Sequence, residues 1–405
     1  MADASLAGPA ARGREAEQAA GFHSTEPGWL IEGRDRAKEI AATLELPGPK
    51  AKGWEFTDLS DFDFDAYTEA VAGVEGLSRS DGDGPVVLPL ADAAASHPEL
   101  VRERLGSIVP TTDPFAARNE ARWRDGILVH VPAGVALSEP IRLTVNAAAG
   151  EEIEWRALIV LAEGAEAEIW ERYASDGEGL FNGVVELSLG DGANLRYICE
   201  QELSPESWVF ATQRAEVGRE ANLEWVALGF GSARGKVRME TKLAGRGSSA
   251  RVTGAYAGDG VQHLDYDTTQ EHAAQDTTSD LAFRGVLAER ATAVWRGMIR
   301  VDPGAQRTDA FQESRNLLLS TDAHADAIPG LEIEADDVRC THAAAIAQVD
   351  REQLHYLRAH GVSEDEAKRL VVEGFLQELV ERAREGPIRE ALASELSKRL
   401  AELLD

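Results

Sequence analysis

The sequence predicts a mainly β protein, a solenoid core between helical N- and C-terminal regions, and three observations carry that prediction. Apolar and polar residues alternate with period two from about Gly126 onward. A short turn motif recurs at a nearly fixed interval within that stretch. Helical spacing is confined to the chain before about residue 122 and after about residue 350. The expected regions are therefore 1–122, 123–345 and 346–405.

Residues 1–122 read as mostly helical with loops. From Trp29 to Leu46 the apolar residues Leu30, Ile31, Ala37, Ile40 and Leu44 follow helical spacing, and Pro47-Gly48-Pro49 ends the run. A similar segment spans Asp92 to Leu105, and Asp81-Gly82-Asp83-Gly84-Pro85 marks a turn. In the middle region Ile153, Trp155, Ala157, Ile159 and Leu161 alternate with the residues between them, as do Val185, Leu187 and Leu189. The turn motif starts at Gly164, Gly192, Glu220 and Gly247, each followed by a strand-like run, and a further copy is read at Arg290. A small-residue turn feeding a strand at fixed period is what a stacked coil requires, because one turn cannot bury its apolar face alone. A sandwich with glycine-rich turns is the alternative on pattern alone. Toward the C-terminus, Ser363-Glu364-Asp365-Glu366 fits a capping box. Ala367, Leu370, Val371, Phe375, Leu379 and Val380 then mark a helical face, Gly386-Pro387 breaks it, and Ile388, Leu392, Leu396 and Leu400 support another helix.

Composition narrows function by exclusion. Asp and Glu number 71 against 41 Lys and Arg, a formal net charge of −30, which repels nucleic-acid phosphates. Only seven of the basic residues are Lys. An acidic, Lys-poor surface suits a salt-rich cytosol, so a halophilic source is expected. The two cysteines, Cys199 and Cys340, form no disulfide framework. Met1-Ala2-Asp3-Ala4-Ser5-Leu6 lacks the charge and apolar core of a leader, and no apolar run is long enough to span a bilayer. A cytoplasmic address follows as an expectation. Gly231 to Val237 lacks the glycine and the hydroxyl residue that a phosphate-binding loop demands. Carboxylate pairs carry no signal in so acidic a chain.

One cluster suggests chemistry. Asp336-Asp337-Val338-Arg339-Cys340-Thr341-His342 places a thiol and an imidazole two residues apart, on one face of a strand. Thiolate and imidazole together suit iron, zinc or copper, but two ligands do not close a structural site. Any metal there would be transient, shared with a partner chain or completed by water. A buried Cys beside a hydrogen-bonded His accounts for the same residues without a metal. Cys199, in phase with Leu195 and Tyr197, reads as core, and His324 with Asp326 as solvated surface.

Several longer stretches resemble a known family. They are Arg307-Thr-Asp-Ala-Phe-Gln-Glu-Ser-Arg-Asn, the run from Ala325 through Ile328-Pro329-Gly330 to Cys340-Thr341-His342, and Leu354-His355-Tyr356-Leu357. Lys52-Gly53-Trp54-Glu55-Phe56-Thr57-Asp58-Leu59 and Asp125 to Val135 add to them. Together they are similar to the SufB/SufD family of iron–sulfur cluster assembly proteins, its D-type members most closely. The resemblance implies a right-handed parallel β-helix between helical ends, and a scaffold rather than an enzyme. It implies a SufB-type paralogue and a SufC-type ABC ATPase as partners, with a separate sulfur donor, and no nucleic acid or membrane. The C-terminal helices, with Leu370, Val371, Phe375 and Leu379, are the implied ATPase-docking surface. Cys340 and His342 are the implied cluster-assembly interface, handling iron or a nascent Fe–S cluster transiently, with no stably bound cofactor. B-type members are expected to carry Cys where this chain has Ala323 and Glu where it has His342. Two alternatives stay open: a homodimer acting as scaffold alone, and a β-helix carbohydrate-active enzyme, which rests on fold analogy only.

Overall fold

Nineteen strands and seven helices are present among the residues described by the computed structural model, which are 26–82, 84–383 and 385–404. The first 25 residues of the N-terminal region, on which the leader expectation rests, lie outside them. Strands alternate between two sheets along the chain, forming a parallel β-solenoid of about 8 turns. One sheet, called A here, runs in the order β18 (His324–Ile333), β16 (Thr292–Val301), β14 (His263–His272), β12 (Arg234–Leu243), β10 (Trp208–Val217), β8 (Leu180–Leu189), β6 (Glu151–Leu161), β4 (Asp125–Val131) and β3 (Val86–Pro89). Sheet B runs in the order β19 (Val338–Gln348), β17 (Thr308–Leu318), β15 (Thr278–Leu287), β13 (Ser249–Gly258), β11 (Asn222–Gly229), β9 (Asn194–Glu202), β7 (Glu166–Ser175), β5 (Ile141–Ala147) and β2 (Gly73–Glu75). The pairings are parallel except at the start, where β2 and β3 pair antiparallel. Those two closing strands are short, and β3 ends in Pro89, features that blunt a sheet edge.

The repeat read from the sequence is one corner of the coil. Gly164, Gly192, Glu220 and Gly247 all have left-handed φ, between 56° and 74°. Their amides donate up the stack, Gly164 to the carbonyl of Asp191 and Gly192 to that of Arg219. The series continues at Asp276 and Arg307, not at Arg290. Arg290 precedes β16 (Thr292–Val301), a sheet A strand, and so belongs to the opposite corner, half a turn out of phase. The copies at Asp276 and Arg307 lack the pattern because Thr277 and Thr308 stand where the other copies have Ala or Ser after the corner residue. Their side chains bond each other and Arg246 across adjacent turns, which offsets part of the cost of about 1–2 kcal/mol for a left-handed non-glycine residue.

Alternation sorts side chains between two faces. Inward residues such as Trp155, Tyr197, Trp225, Phe283 and Trp295 fill the coil. Outward apolar residues would face water, and the flanking regions cover them. Helix α1 (Gly28–Thr43), α2 (Leu90–Ser96), α3 (Pro98–Arg104) and α4 (Pro114–Arg122) bring Leu30, Leu90, Val101 and Phe115 against the outer face of sheet A. After helix α5 (Arg351–Ala359), helices α6 (Glu364–Arg382) and α7 (Pro387–Leu404) cover the outer face of sheet B, burying Ile198, Val226, Leu228 and Val286. Both helix starts follow the local chemistry: Ser363 Oγ accepts from the Glu366 amide, and Pro387 takes a first-turn position.

The 1–122 region holds less helix than its pattern suggested. From Leu44 to Pro85 the backbone is mostly irregular, with one short 3₁₀ turn and two short strands. This stretch is held by contacts remote in sequence. Trp54 stacks on Phe115 at 5.3 Å, and Thr57 Oγ1 donates to buried Asp265 at 2.6 Å. Lys236 Nζ reaches the other oxygen of Asp265 at 2.7 Å. The Trp54–Leu59 segment thus straps the N-terminal region to the middle of sheet A.

Candidate functional site

Cys340 and His342 lie on β19, the last strand of sheet B, whose outer edge has no neighbouring strand among the described residues. Their register partners on β17 (Thr308–Leu318) are Ala310 and Gln312, both buried. The pair therefore faces inward, at the open mouth of the coil. Cys340 packs against Ile299, Val301, Ala305 and Ala310, while His342 is exposed. Burial pushes the Cys340 thiol up, and the Asp309 carboxylate adds to this, so the free protein holds it as the thiol at neutral pH. Beside His342 the buried Gln312 Nε2 donates to the carbonyls of Gly297 and Gly330, and its Oε1 has no donor. The mouth thus offers a sulfur and an imidazole on one strand, with the Gln312 amide buried on the neighbouring strand. Metal capture there would require the thiol to release its proton.

Ala323 sits just before β18 and is buried in the inner core, with no ligating group. His324 and Asp326 contact each other at 3.1 Å on the outward, exposed side of β18. Cys199 lies deep inside, accepting from Gln213 Nε2 at 3.1 Å, and burial beside the Glu171 carboxyl pushes its thiol up to about 12. Around it, Glu171 accepts from Trp155 Nε1 at 3.2 Å and from the hydroxyls of Tyr173 and Tyr197. Nothing in the sequence pattern singles out this buried carboxyl among so many acidic residues.

The open end of the coil is broader than the pair. Ile328, Leu331 and Ile333 on β18 and Ile346 on β19 are exposed, and both strands leave backbone groups unpaired along one side. Such an edge is a template for another chain. Of the four residues assigned to the docking helices, Leu370 is exposed, Val371 and Phe375 are half-buried against sheet B, and Leu379 is fully buried. Leu379 therefore anchors α6 to its own solenoid and is not presented to a partner. Periodicity marks the apolar face of a helix but not what covers it.

Beneath α7 a cavity of about 350 Å³ is lined by Trp170, Ile198, Val226, Leu228 and Leu392, with Glu200 and Glu395 at one side. Burial, reinforced by the Glu395 carboxylate, pushes Glu200 up to about 7. A carboxyl whose folded value is raised favours folding below its unfolded value of 4.5 and loses that advantage as pH rises toward 7. Glu200→Gln is expected to raise Tm relative to the parent by an amount that grows from about pH 5 to about pH 7.5. Parallel thermal melts across that range check it, and a pH-independent difference would refute it.

Comparison with known proteins agrees with this geometry. The model described as "SUF system FeS cluster assembly, SufBD core domain" matches residues 144–375, and "SufBD protein N-terminal region" matches residues 65–143. An iron–sulfur cluster assembly SufBD family protein of Mycobacterium leprae is 28% identical over 383 residues, covering 92% of this chain and 95% of that one. The iron–sulfur cluster assembly protein SufD of Bacillus subtilis is 26% identical over 415 residues, covering 93% and 95%. A solenoid with helices on both outer faces, matched across its core and N-terminal region, identifies the chain as a member of the SufB/SufD family of iron–sulfur cluster assembly proteins.

Proposed function

We propose that this chain is a cytoplasmic, non-catalytic scaffold subunit of the SUF assembly system, working at its open end with a second solenoid of the SufB type. The observation that carries this reading is the unpaired, apolar rim of β18 and β19 next to Cys340 and His342. Joining two such rims would pair backbone edges, bury Ile328, Leu331, Ile333 and Ile346, and enclose the thiol and imidazole between the chains. A thiolate binds iron of a nascent cluster firmly, and an imidazole is a ligand that releases more easily. The cluster or its iron is cargo, delivered with sulfur from a separate donor. Ala323 offers no thiol, so the sulfur-accepting group would belong to the paralogue.

A SufC-type ABC ATPase would dock on the solvent side of α5 and α6, where Tyr356 and Leu370 are exposed. Movement of ATPase subunits would then bias a two-state rim, closed to hold cargo and open to release it. No helix of the described residues is long and apolar enough to cross a membrane.

The test is anaerobic reconstitution with the paralogue, the ATPase, ferrous iron and a sulfur donor at high salt, read by visible absorbance of the cluster. Cluster formation that requires all three chains and falls sharply in the Cys340→Ala, His342→Ala double variant is the expected result. Undiminished formation by the double variant would remove the ligand role. Formation by this chain alone would replace the paired scaffold with a homodimer.

A further inference from the structure

A second site lies at the opposite end of the molecule. Between α1, α4 and the irregular stretch after α1 is a cavity of about 600 Å³. That size is within the roughly 300–1,000 Å³ usual for small-molecule sites. Its lining combines the cations Arg34, Lys38, Arg118, Arg122 and Arg124 with the apolar Leu44, Leu46, Phe64 and Pro114 and the carboxylates Glu26 and Glu69. Five cations converge here in a chain whose net charge is −30.

Four of these cations have carboxylate partners, including Glu154 at 3.3 Å from Arg118 and Glu152 at 3.5 Å from Arg122. Arg122 and Arg124 share the two oxygens of Glu69 at 2.7 and 2.8 Å, Arg118 holds Glu152 at 2.6 Å, and Arg34 pairs with Glu26 at 2.9 Å. Asp65 lies near Arg118. Lys38 has no ion pair among the described residues, and the buried Nε atoms of Arg34 and Arg122 have no acceptor. Buried guanidinium N–H groups call for an acceptor, and a planar fork fits phosphate oxygens two at a time. The guanidiniums are also held in place: Arg34 stacks over Trp123 at 4.2 Å and Arg118 over Phe64 at 4.0 Å.

We propose that this cavity binds a small phosphorylated molecule with an apolar or aromatic body, of the nucleoside-monophosphate kind. The phosphate meets the cations, and the body lies against Leu44, Leu46 and Pro114. A pocket of this size holds a mononucleotide and not an extended nucleic-acid strand, which the net charge also repels. The site is remote from the rim that carries Cys340 and His342, so it stands independently of the scaffold reading.

Calorimetric titration of the full chain with AMP, adenosine and inorganic phosphate tests it, at the lowest salt in which circular dichroism shows the chain folded. Saturable binding of AMP, weaker binding of phosphate and none of adenosine are expected. Lys38→Glu should weaken AMP binding about tenfold or more, since it removes one charge contact and adds a repulsive one. Lys38 is exposed, so the variant should fold. Arg290→Glu makes the same charge change at an exposed turn late in the solenoid and should leave binding unchanged. No saturable binding of AMP, or equal weakening by both variants, would overturn the site. Phosphate binding as tightly as AMP would overturn the apolar half of the assignment.

Discussion

Replacing Arg156 with Met is expected to destabilise the protein by about 3–5 kcal/mol, the range for removing one partner of a buried ion pair. Arg156 is 1% exposed on the outer face of sheet A. Its guanidinium contacts Glu186 at 2.8 Å and Glu120 at 2.7 Å. Glu186 is itself fully buried and accepts the amides of Gly106, Ile108 and Val109. These contacts fasten the loop after α3 to the solenoid. Without the guanidinium, Glu186 keeps its amide donors but loses its counter-ion in a site closed to water. Denaturant unfolding at constant salt measures the effect. The Arg156→Met, Glu186→Gln double variant should recover part of the loss, because it removes the fully buried charge and leaves only Glu120, which is partly exposed, without its counter-ion. A single-variant loss below about 1 kcal/mol, the level of a surface pair, would refute the account.

Introducing Lys at both Leu331 and Ile346 is expected to weaken association through the open rim by about 10²–10³-fold without unfolding the chain. Both residues are exposed, at 37% and 45%, so the isolated protein has little to lose from the change. In a joined rim each would sit near the centre of the contact, where loss of an apolar anchor costs about 2 kcal/mol and a buried like charge adds to it. Lysines on an edge strand are also the usual means by which proteins block pairing. Sedimentation or calorimetry with the paralogue reads the affinity, and a melt of the variant alone reads the fold. Unchanged association would place the interface elsewhere.

The parts of this molecule visible in its sequence are those set by local periodicity. Alternation at Ile153–Leu161 follows directly from strand geometry, and the capping box at Ser363 follows from helix-end chemistry. The corner repeat is legible where a small residue, Ala165, Ala193, Ala221 or Ser248, follows the corner position, and disappears at Asp276 and Arg307, where threonine follows. Arg290 was misplaced because both corners of the coil use similar small-residue turns. Contacts between distant segments leave no local trace. Nothing near Thr57 indicates Asp265, and nothing near Arg156 distinguishes Glu186 from the other carboxylates. The Cys340–His342 spacing was legible as a pair on one face, but its position at the mouth of the coil depends on β19 being the final strand. Leu379 and Leu370 look alike in the helical pattern, and only the packing of α6 on sheet B separates them.

The unequal ends of the coil set a limit on assembly. Parallel strands repeat the same edge at every turn, so a coil open at both ends would add units head to tail without closing. Here β2 and β3 reverse direction and stop after three and four residues, leaving little edge for an incoming strand. Where the rim serves as the interface proposed above, each molecule has one adhesive pole. Two molecules, alike or related, can saturate one another pole to pole, and a third finds no vacancy. The antiparallel start acts as a chain terminator, so rim-to-rim joining yields a finite particle of two solenoids instead of a fibre.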